Sequence, residues 1–226
     1  MKFEYSNSIG PLIMKRLLYV FPSPDATKRL AGAVPDIVVV DLEEAVAEHS
    51  KAKARRWLVD TVAACGQFGI QVLVRVNGAG TEHMSLDLAA VTQLGSEIGL
   101  LLPKPLDATI VRNIAAAHPE RPLWLMAESG DVPLWLPETL AEFSIAGLVI
   151  GGKDLCLDFG LDGYQPAHER VRQVVGEVVR IARPHKVPVY DAVALGECDV
   201  RLALIRAAHA GCTGLSLVSA DDVHVS

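Results

Sequence analysis

Short apolar runs recur along the chain, and nearly every one ends on a charged or amide side chain. Continuous stretches of Val, Ile and Leu are typical of strands buried on both faces, as in a parallel sheet. The pattern therefore predicts eight strands at fairly regular intervals. The runs are LLYVF (17–21), DIVVVDLEE (36–44), QVLVRVN (71–77), GLLLPK (99–104), LWLMAE (123–128), GLVIGGKD (147–154), VPVYDAV (187–193) and GLSLV (214–218).

Segments with helical composition lie between these runs. In KAKARRWLVDTVAACGQ (51–67), Trp57, Leu58, Val62 and Cys65 recur at three- and four-residue spacing, which is the period of one helix face. Gly or Pro marks most of the junctions between segments. The predicted helices are 24–33, 45–66, 82–95, 107–118, 131–142, 166–184 and 197–210.

Strands that alternate with helices predict a single α/β domain over residues 1–226, folded as a (β/α)8 TIM barrel. An open doubly wound sheet is the alternative, but it would need a Gly-rich turn after the first strand, and LLYVFPSPDA has none. Residues 1–15 are predicted to form an N-terminal extension. Few residues follow Val218, so we expect a barrel that lacks the usual C-terminal helix and lid. The strands left uncovered favour a homo-oligomer.

Composition narrows the class of protein. The chain has 226 residues, 50% of them hydrophobic, and a net charge of −6, which argues against a nucleic-acid surface. The apolar stretch before the first strand is interrupted by Lys15 and Arg16, so we predict neither a membrane span nor a signal peptide. The four scattered cysteines form no C-x-x-C pair and indicate reduced packing residues in a cytoplasmic protein.

The polar residues that end the runs are expected to meet at one place. In (β/α)8 barrels the C-terminal ends of the strands form the active-site mouth. Clustered carboxylates there repel one another unless a cation offsets them, and an oxygen-rich set without His or Cys suits Mg²⁺ or Mn²⁺ better than zinc. The residues expected at the mouth are Glu43, Glu44, Arg75, Asn77, Lys104, Glu128, Asp154 and Asp191.

Simpler structural interpretations exist for several of these residues. Asp41 or Glu44 would cap or charge the N-terminus of the next helix. Arg75 would be no more than an ion-pair partner of Glu43, and the acids after the fifth and sixth runs would be loop acids. Three acids are expected outside the site, namely Asp87 on or near the third helix and Asp158 and Asp162 at the surface.

The run DIVVVDLEEAV resembles the D-L-E-D-A-V signature of the HpcH/HpaI aldolase, or citrate lyase β-subunit-like, family. LVRVNG, LLPKP, MAESGDV and IGGKDLCLDFG resemble the following segments of that family in the same order, and the resemblance runs from Arg16 to Gly214. It implies a (β/α)8 barrel and an Mg²⁺-dependent carbon–carbon lyase. The substrates implied are free oxo or hydroxy acids, or acyl-CoA esters such as citryl-, malyl- and citramalyl-CoA. A trimer is the assembly that it favours.

The resemblance also implies roles for individual residues. Glu128 of AESG and Asp154 of GGKDL would be the metal ligands. Arg75 of VRVN and Glu43 of DLEE would be catalytic, with Arg75 binding the substrate carboxylate and Glu43 orienting Arg75 or a water. The implied substrate-binding residues are Arg75, Glu44 and Lys104.

Three segments depart from the family pattern. DLED reads DLEE, the loop after strand one (FVPGSRP) reads VFPSPDATKRL, and the late CoA-holding segment GxxGKxxIHPxQ reads GCTGLSLVSADDVHVS. The use of CoA esters is therefore left open. Two alternatives also stay open. One is a Schiff-base aldolase with Lys104 as nucleophile; the other is a lyase-like barrel with altered catalysis that serves as a binding or oligomeric subunit.

Overall fold

The computed structural model describes residues 14–30, 35–104, 108–163, 165–192 and 200–218. Eight parallel strands form a closed barrel in chain order, and β1 pairs with β8 to close it. This confirms the predicted (β/α)8 barrel, and the open-sheet alternative is wrong. The strands are β1 Lys15–Val20, β2 Ile37–Asp41, β3 Gln71–Arg75, β4 Gly99–Leu102, β5 Leu123–Ala127, β6 Ile145–Ile150, β7 Val189–Ala192 and β8 Gly214–Leu217.

Every predicted helical segment contains a helix. The helices are α1 Ala26–Leu30, α2 Lys51–Gly66, α3 Glu82–Val91, α4 Ala108–Ala117, α5 Val132–Glu142, α6 Gly152–Asp158, α7 Glu169–Ala182 and α8 Val200–Ala210, with 3-10 turns at Glu48–Ser50 and Arg183–His185. Helix α6 was not predicted, because seven residues are too few to show a helical period. Within the described ranges, no helix has both the length and the hydrophobicity to cross a bilayer.

Some of the predictions fall on other parts of the chain. Most of the predicted N-terminal extension (1–13), the ends of three predicted helices (31–33, 107 and 197–199) and the segment 219–226 after β8 lie outside the described residues. Met14 is buried and Lys15 already belongs to β1, so the extension ends earlier than predicted. Cys65, Cys156 and Cys212 are free thiols, as expected, while Cys198 lies outside the described residues.

Strand residues divide into two cores because successive side chains point to opposite faces. One set packs against the outer helices, and the other fills the barrel interior with Leu17, Ile37, Val39, Leu73, Leu101, Trp124, Met126, Val149 and Tyr190. The rings of Trp124 and Tyr190 lie 5.6 Å apart between centroids. Gly147 on β6 admits the indole, since a Cβ there would collide with the Trp124 ring. The interior is thus a packed core rather than a channel.

A polar layer lies above this core at the C-terminal ends of the strands. Asp41 and Arg75 are the last residues of β2 and β3, and they are register partners in neighbouring parallel strands. They continue the inward-facing positions occupied by Val39 and Leu73 one step below. The strand pattern therefore delivers charged side chains to the end of the barrel at which the sequence predicted a site.

Candidate active site

A cavity of about 630 Å³ opens at this polar layer. Its volume is in the range typical of small-molecule sites. The side chains and backbone that line it include Tyr19, Asp41, Glu44, Arg75, Met126, Gly151, Asp154, Ala192 and Ser216. Residues from seven of the eight strand ends or the loops after them therefore share one opening.

Arg75 is held rigidly at the floor of this cavity. Its Nε donates to Asp41 Oδ1 at 2.8 Å and its Nη2 donates to Asp41 Oδ2 at 2.6 Å, a bidentate pair between two buried side chains. Its Nη1 lies 3.1 Å from Glu43 Oε2, and the guanidinium carbon lies 5.0 Å from the centroid of the Tyr19 ring. Burial lowers the pKa of Arg75, but Asp41 outweighs this effect and the pKa is raised. Arg75 is therefore a fixed, permanent cation.

Asp41 serves two purposes that sequence reasoning did not combine. Besides pairing with Arg75, its Oδ1 accepts the backbone N–H of Glu43 at 2.9 Å and its Oδ2 accepts that of Ala45 at 3.0 Å. These two N–H groups belong to a turn, and the next helix begins only at Lys51 with Ser50 as its N-cap, so the interpretation of Asp41 as a helix cap was wrong. A signal was present in the sequence, because Asp41 continues the alternation of inward-facing residues on β2 and lies at the same level as Arg75.

Glu43 lies beside Arg75, where the sequence placed it. Burial raises the pKa of the Glu43 carboxyl to about 7, although the Arg75 charge opposes this shift. A carboxyl group with a pKa near neutrality can exchange a proton with a substrate, which is the property that general acid–base catalysis requires. The contact at 3.1 Å keeps this group beside Arg75, which lines the cavity.

Lys104 joins the two predicted metal ligands. Its backbone N–H donates to Glu128 Oε1 at 2.5 Å, and its ammonium lies 3.3 Å from Asp154 Oδ1 and 4.0 Å from Glu44 Oε1. Lys104 has a φ of 43°, in the left-handed region that a residue with a side chain seldom occupies. The structure therefore brings Glu44, Lys104, Glu128 and Asp154 together, as the sequence predicted.

The pKa values at this cluster reflect an excess of acid. Burial raises the pKa of Glu128 to about 8; the backbone N–H of Lys104 lowers it, and the nearby carboxylates of Glu43 and Asp154 raise it. Burial lowers the pKa of Lys104, but the charges of Asp154, Glu128 and Glu43 together outweigh this effect and the pKa is raised. The Lys104 side chain is consequently an ammonium, and the acids around it favour a cation.

Gly151 leaves the space that the Glu128 carboxylate occupies. A Cβ at Gly151 would collide with the side chain of Glu128, so the first glycine of the GGKD motif is required for the orientation of this acid. The chain then enters helix α6, and Asp154 lies in its first turn. The four residues of the motif therefore leave room for the Glu128 carboxylate and also supply a second acid.

Lys104 joins two carboxylates that could hold a magnesium or manganese ion, since Glu128 accepts its backbone N–H and Asp154 contacts its ammonium. Mg²⁺ is usually held by one or two carboxylates and completes its shell with water and substrate oxygens. In the described ranges, no three His, Cys, Asp or Glu side chains come together as a ready-made metal site.

The profile of the HpcH/HpaI aldolase/citrate lyase family matches residues 17–221. The chain belongs to this family. It is 32% identical over 181 residues to a (3S)-malyl-CoA thioesterase of Cereibacter sphaeroides, covering 79% of this chain and 62% of the relative. It is 28% identical over 162 residues to a citrate lyase subunit beta-like protein of Mycobacterium tuberculosis, covering 71% and 56%. The chain thus spans about three fifths of the length of these curated relatives.

Among solved structures of HpcH/HpaI-type barrels, the chain is similar to the protein CitE of Mycobacterium tuberculosis in complex with magnesium and acetate. The TM-score is 0.77 at 25% sequence identity, and the match covers 93% of this chain and 87% of CitE. The family resemblance drawn from the DLEEAV, VRVN, AESG and GGKDL motifs is therefore confirmed.

Two residues expected at the mouth of this HpcH/HpaI barrel lie elsewhere, and those predictions were wrong. Asp191 points outward to α8, where its Oδ2 lies 3.0 Å from Arg206 Nε, because the inward position on β7 belongs to Tyr190. Asn77 lies outside the cavity lining and bonds to Lys51 and Asp87.

The three acids expected outside the site are there. Asp87 is fully buried on α3, while Asp158 and Asp162 are exposed, and Asp158 accepts the backbone N–H of Gly130 at 2.8 Å.

Proposed function

We propose that this chain is a Mg²⁺- or Mn²⁺-dependent carbon–carbon lyase that acts on a small 2-oxo or 2-hydroxy acid or its acyl-CoA ester. The observation that carries the proposal is that Arg75 and Asp154 line one cavity, while Lys104 joins Asp154 to the buried carboxylate of Glu128. Arg75 would supply a fixed cation for a substrate carboxylate, and Glu128 and Asp154 would supply the metal ligands. The magnesium and acetate in the CitE complex support this combination.

The contacts of Arg75 indicate where a substrate acid binds. Asp41 occupies Nε and Nη2, and Nη1 contacts Glu43 and the Met126 sulfur, so a second carboxylate would bind at Nη1 in place of the weak Met126 contact. A substrate bound there places its reacting carbon within reach of Glu43 and of the acid pair. A magnesium ion on that pair would supply Lewis-acid polarisation of the substrate oxygen.

Glu43 is the proposed proton carrier. In the cleavage direction, its carboxylate accepts the proton of the substrate 2-hydroxyl while the adjacent carbon–carbon bond breaks, which leaves a carbonyl on one fragment and an enolate on the other. The protonated Glu43 then returns the proton to the enolate carbon, so that protons and electrons balance. A pKa of about 7 suits a group that both accepts and donates at neutral pH.

Lys104 is a poor candidate for a Schiff-base nucleophile. Such a lysine must be neutral to attack a carbonyl, usually because burial or a neighbouring cation lowers its pKa. Here acids surround the ammonium and its pKa is raised. Borohydride treatment with an oxo acid should therefore leave no covalent adduct on Lys104, and a trapped adduct detected by mass spectrometry would favour the Schiff-base mechanism instead.

A thioesterase is the second candidate, because a relative with 32% identity bears the name (3S)-malyl-CoA thioesterase. Malyl-CoA and Mg²⁺ would distinguish the two activities. A lyase releases acetyl-CoA and glyoxylate, whereas a thioesterase releases malate and free CoA thiol. Both product pairs can be separated by chromatography. If neither product pair forms and no free hydroxy acid tested is cleaved, that result would support the alternative of a barrel that serves as a binding or oligomeric subunit.

A homo-oligomer, with a trimer favoured, and a cytoplasmic location remain predictions. Exposed apolar side chains on the outer helices support association, since Leu134 on α5 is 83% exposed and Leu202 and Ile205 on α8 are 64% and 52% exposed. Light scattering at micromolar concentration should give a mass above that of one chain. A monomer at all concentrations tested would contradict this prediction.

A further inference from the structure

We propose that the Lys104 ammonium is a built-in counter-cation of the acid pair, which holds the place of the divalent ion and must move aside when that ion binds. The inference rests on the metal site of the proposed function and concerns how strongly that site binds its ion. It makes Lys104 a residue that limits metal affinity, in addition to its predicted contact with substrate.

The geometry around Lys104 carries this inference. The ammonium lies 3.3 Å from Asp154 Oδ1, so a divalent ion bound to that oxygen would have a like charge as its neighbour. Glu44 Oε1 lies 4.0 Å away on the other side. Arg75, a second cation beside these acids, is already matched by Asp41 and Glu43. The Lys104 ammonium is therefore placed to offset Asp154 and Glu44 before a metal binds.

The backbone of Lys104 holds this arrangement in place. Its φ of 43° is costly for a residue with a side chain, and it allows the same residue to reach Glu128 through its N–H and Asp154 through its ammonium. The side chain is 47% exposed, so the ammonium can move away from the acids into water with little desolvation cost. Lys104 thus combines a fixed backbone with an exposed ammonium that a metal ion can replace.

Calorimetric titration with Mg²⁺ tests the proposal. Removing the ammonium in Lys104→Met should tighten Mg²⁺ binding by about five- to ten-fold, as expected for a partly exposed ion pair that no longer competes. Lys104→Gly should act in the same direction, because glycine accepts the left-handed backbone and keeps the N–H that Glu128 accepts. In EDTA, the Lys104→Met protein should melt at a lower temperature than wild type. Saturating Mg²⁺ should raise the melting temperature of Lys104→Met by more than it raises that of wild type.

Lys153→Met is the matched control. Lys153 lines the cavity, is exposed and precedes Asp154 in the chain, so this variant removes the same charge close to the same acid. If direct contact with Asp154, rather than overall charge, determines the effect of a lysine, the Mg²⁺ affinity of Lys153→Met should stay within about two-fold of wild type. If wild type binds Mg²⁺ but both Lys104 variants bind it no more tightly than Lys153→Met, the counter-cation role is overturned. If wild type binds neither Mg²⁺ nor Mn²⁺, the metal site of the proposed function fails as well.

Discussion

Two groups of charged residues lie next to each other at the C-terminal end of the barrel, and they differ in how their charges are matched. The support network consists of Lys51, Arg55, Asn77 and Asp87, and the acid cluster consists of Glu43, Glu44, Glu128 and Asp154. Lys51, Asn77 and Asp87 of the support network are buried, whereas Glu44 and Asp154 of the acid cluster line the cavity.

Every charge in the support network has a partner. Asp87 Oδ1 accepts from Arg55 at 2.9 Å, and Asp87 Oδ2 accepts from the backbone and the side chain of Asn77. The Lys51 ammonium donates to Asn77 Oδ1 at 2.6 Å and to the carbonyls of Leu42 and Glu43 at 3.1 and 3.0 Å. The network thus fixes the loop that carries Glu43.

The acid cluster lacks such matching. Burial raises the pKa of Glu128 to about 8 and that of Glu43 to about 7, so both carboxylates are unfavourable in the protein as folded. Matched buried charges preserve a structure, whereas acids left short of cations cost stability and are typical of functional sites. From this contrast we infer that the support network stabilises the fold, whereas the acid cluster binds a ligand.

The largest expected effect is the loss of metal binding when the acid cluster loses its two ligands. Glu128→Gln/Asp154→Asn should abolish measurable Mg²⁺ binding in calorimetry and leave the circular dichroism spectrum unchanged. Glu138→Gln/Asp162→Asn makes the same chemical changes at two exposed acids and should bind as wild type does. Equal Mg²⁺ affinity in both double variants would show that the metal site is misplaced.

Arg75→Lys should reduce kcat/KM by about 100-fold or more, because lysine keeps the charge but loses the planar fork. The melting temperature should fall by only a few degrees, since Asp41 keeps its two backbone N–H donors. Enzyme assays with the cleavable substrate and thermal unfolding provide the two values. A variant that unfolds but retains its specific activity would support a purely structural ion pair.

Asp87→Ala tests the support network, which should matter for stability and not for metal binding. It leaves Arg55 and Asn77 without their buried acceptor, so the free energy of unfolding should fall by about 3 kcal/mol in denaturant titrations. The folded protein should still bind Mg²⁺ with nearly wild-type affinity. Asp60→Ala, at an exposed position on α2, is the control and should change stability by less than about 0.5 kcal/mol.

A further prediction concerns pH. The pKa of Glu128 is raised from 4.5 to about 8 on folding, so its contribution to stability is complete below about pH 4.5 and is lost as the pH rises through about 8. The metal-free wild type should therefore lose stability relative to Glu128→Gln between about pH 5 and pH 8. Chemical denaturation in EDTA measures the difference. A constant difference across this range would contradict the raised pKa.

The sequence was sufficient for the barrel and for most of the acid cluster. Uninterrupted Val, Ile and Leu runs mark strands buried on both faces, and parallel strands bring their C-terminal ends together. This rule placed Glu43, Arg75, Lys104 and Glu128 correctly, and the GGKD motif placed Asp154. Which of these residues act in catalysis remains a prediction.

The errors came from facts that local sequence does not contain. The outward direction of Asp191 depends on the alternation along β7, and a short strand does not reveal which alternate residue enters the barrel. The support network joins residues from two helices and a loop that are far apart in sequence, so it appears only when tertiary packing brings them together. Helix α6 was too short to predict.

The Trp124 indole that packs on Gly147 also has a kinetic consequence. Because described side chains fill the interior below Arg75, the cavity has no passage through the barrel. Under the proposed cleavage, we expect the fragment held at Arg75 to leave last and, in the condensation direction, to enter first. Product-inhibition patterns would then show an ordered mechanism.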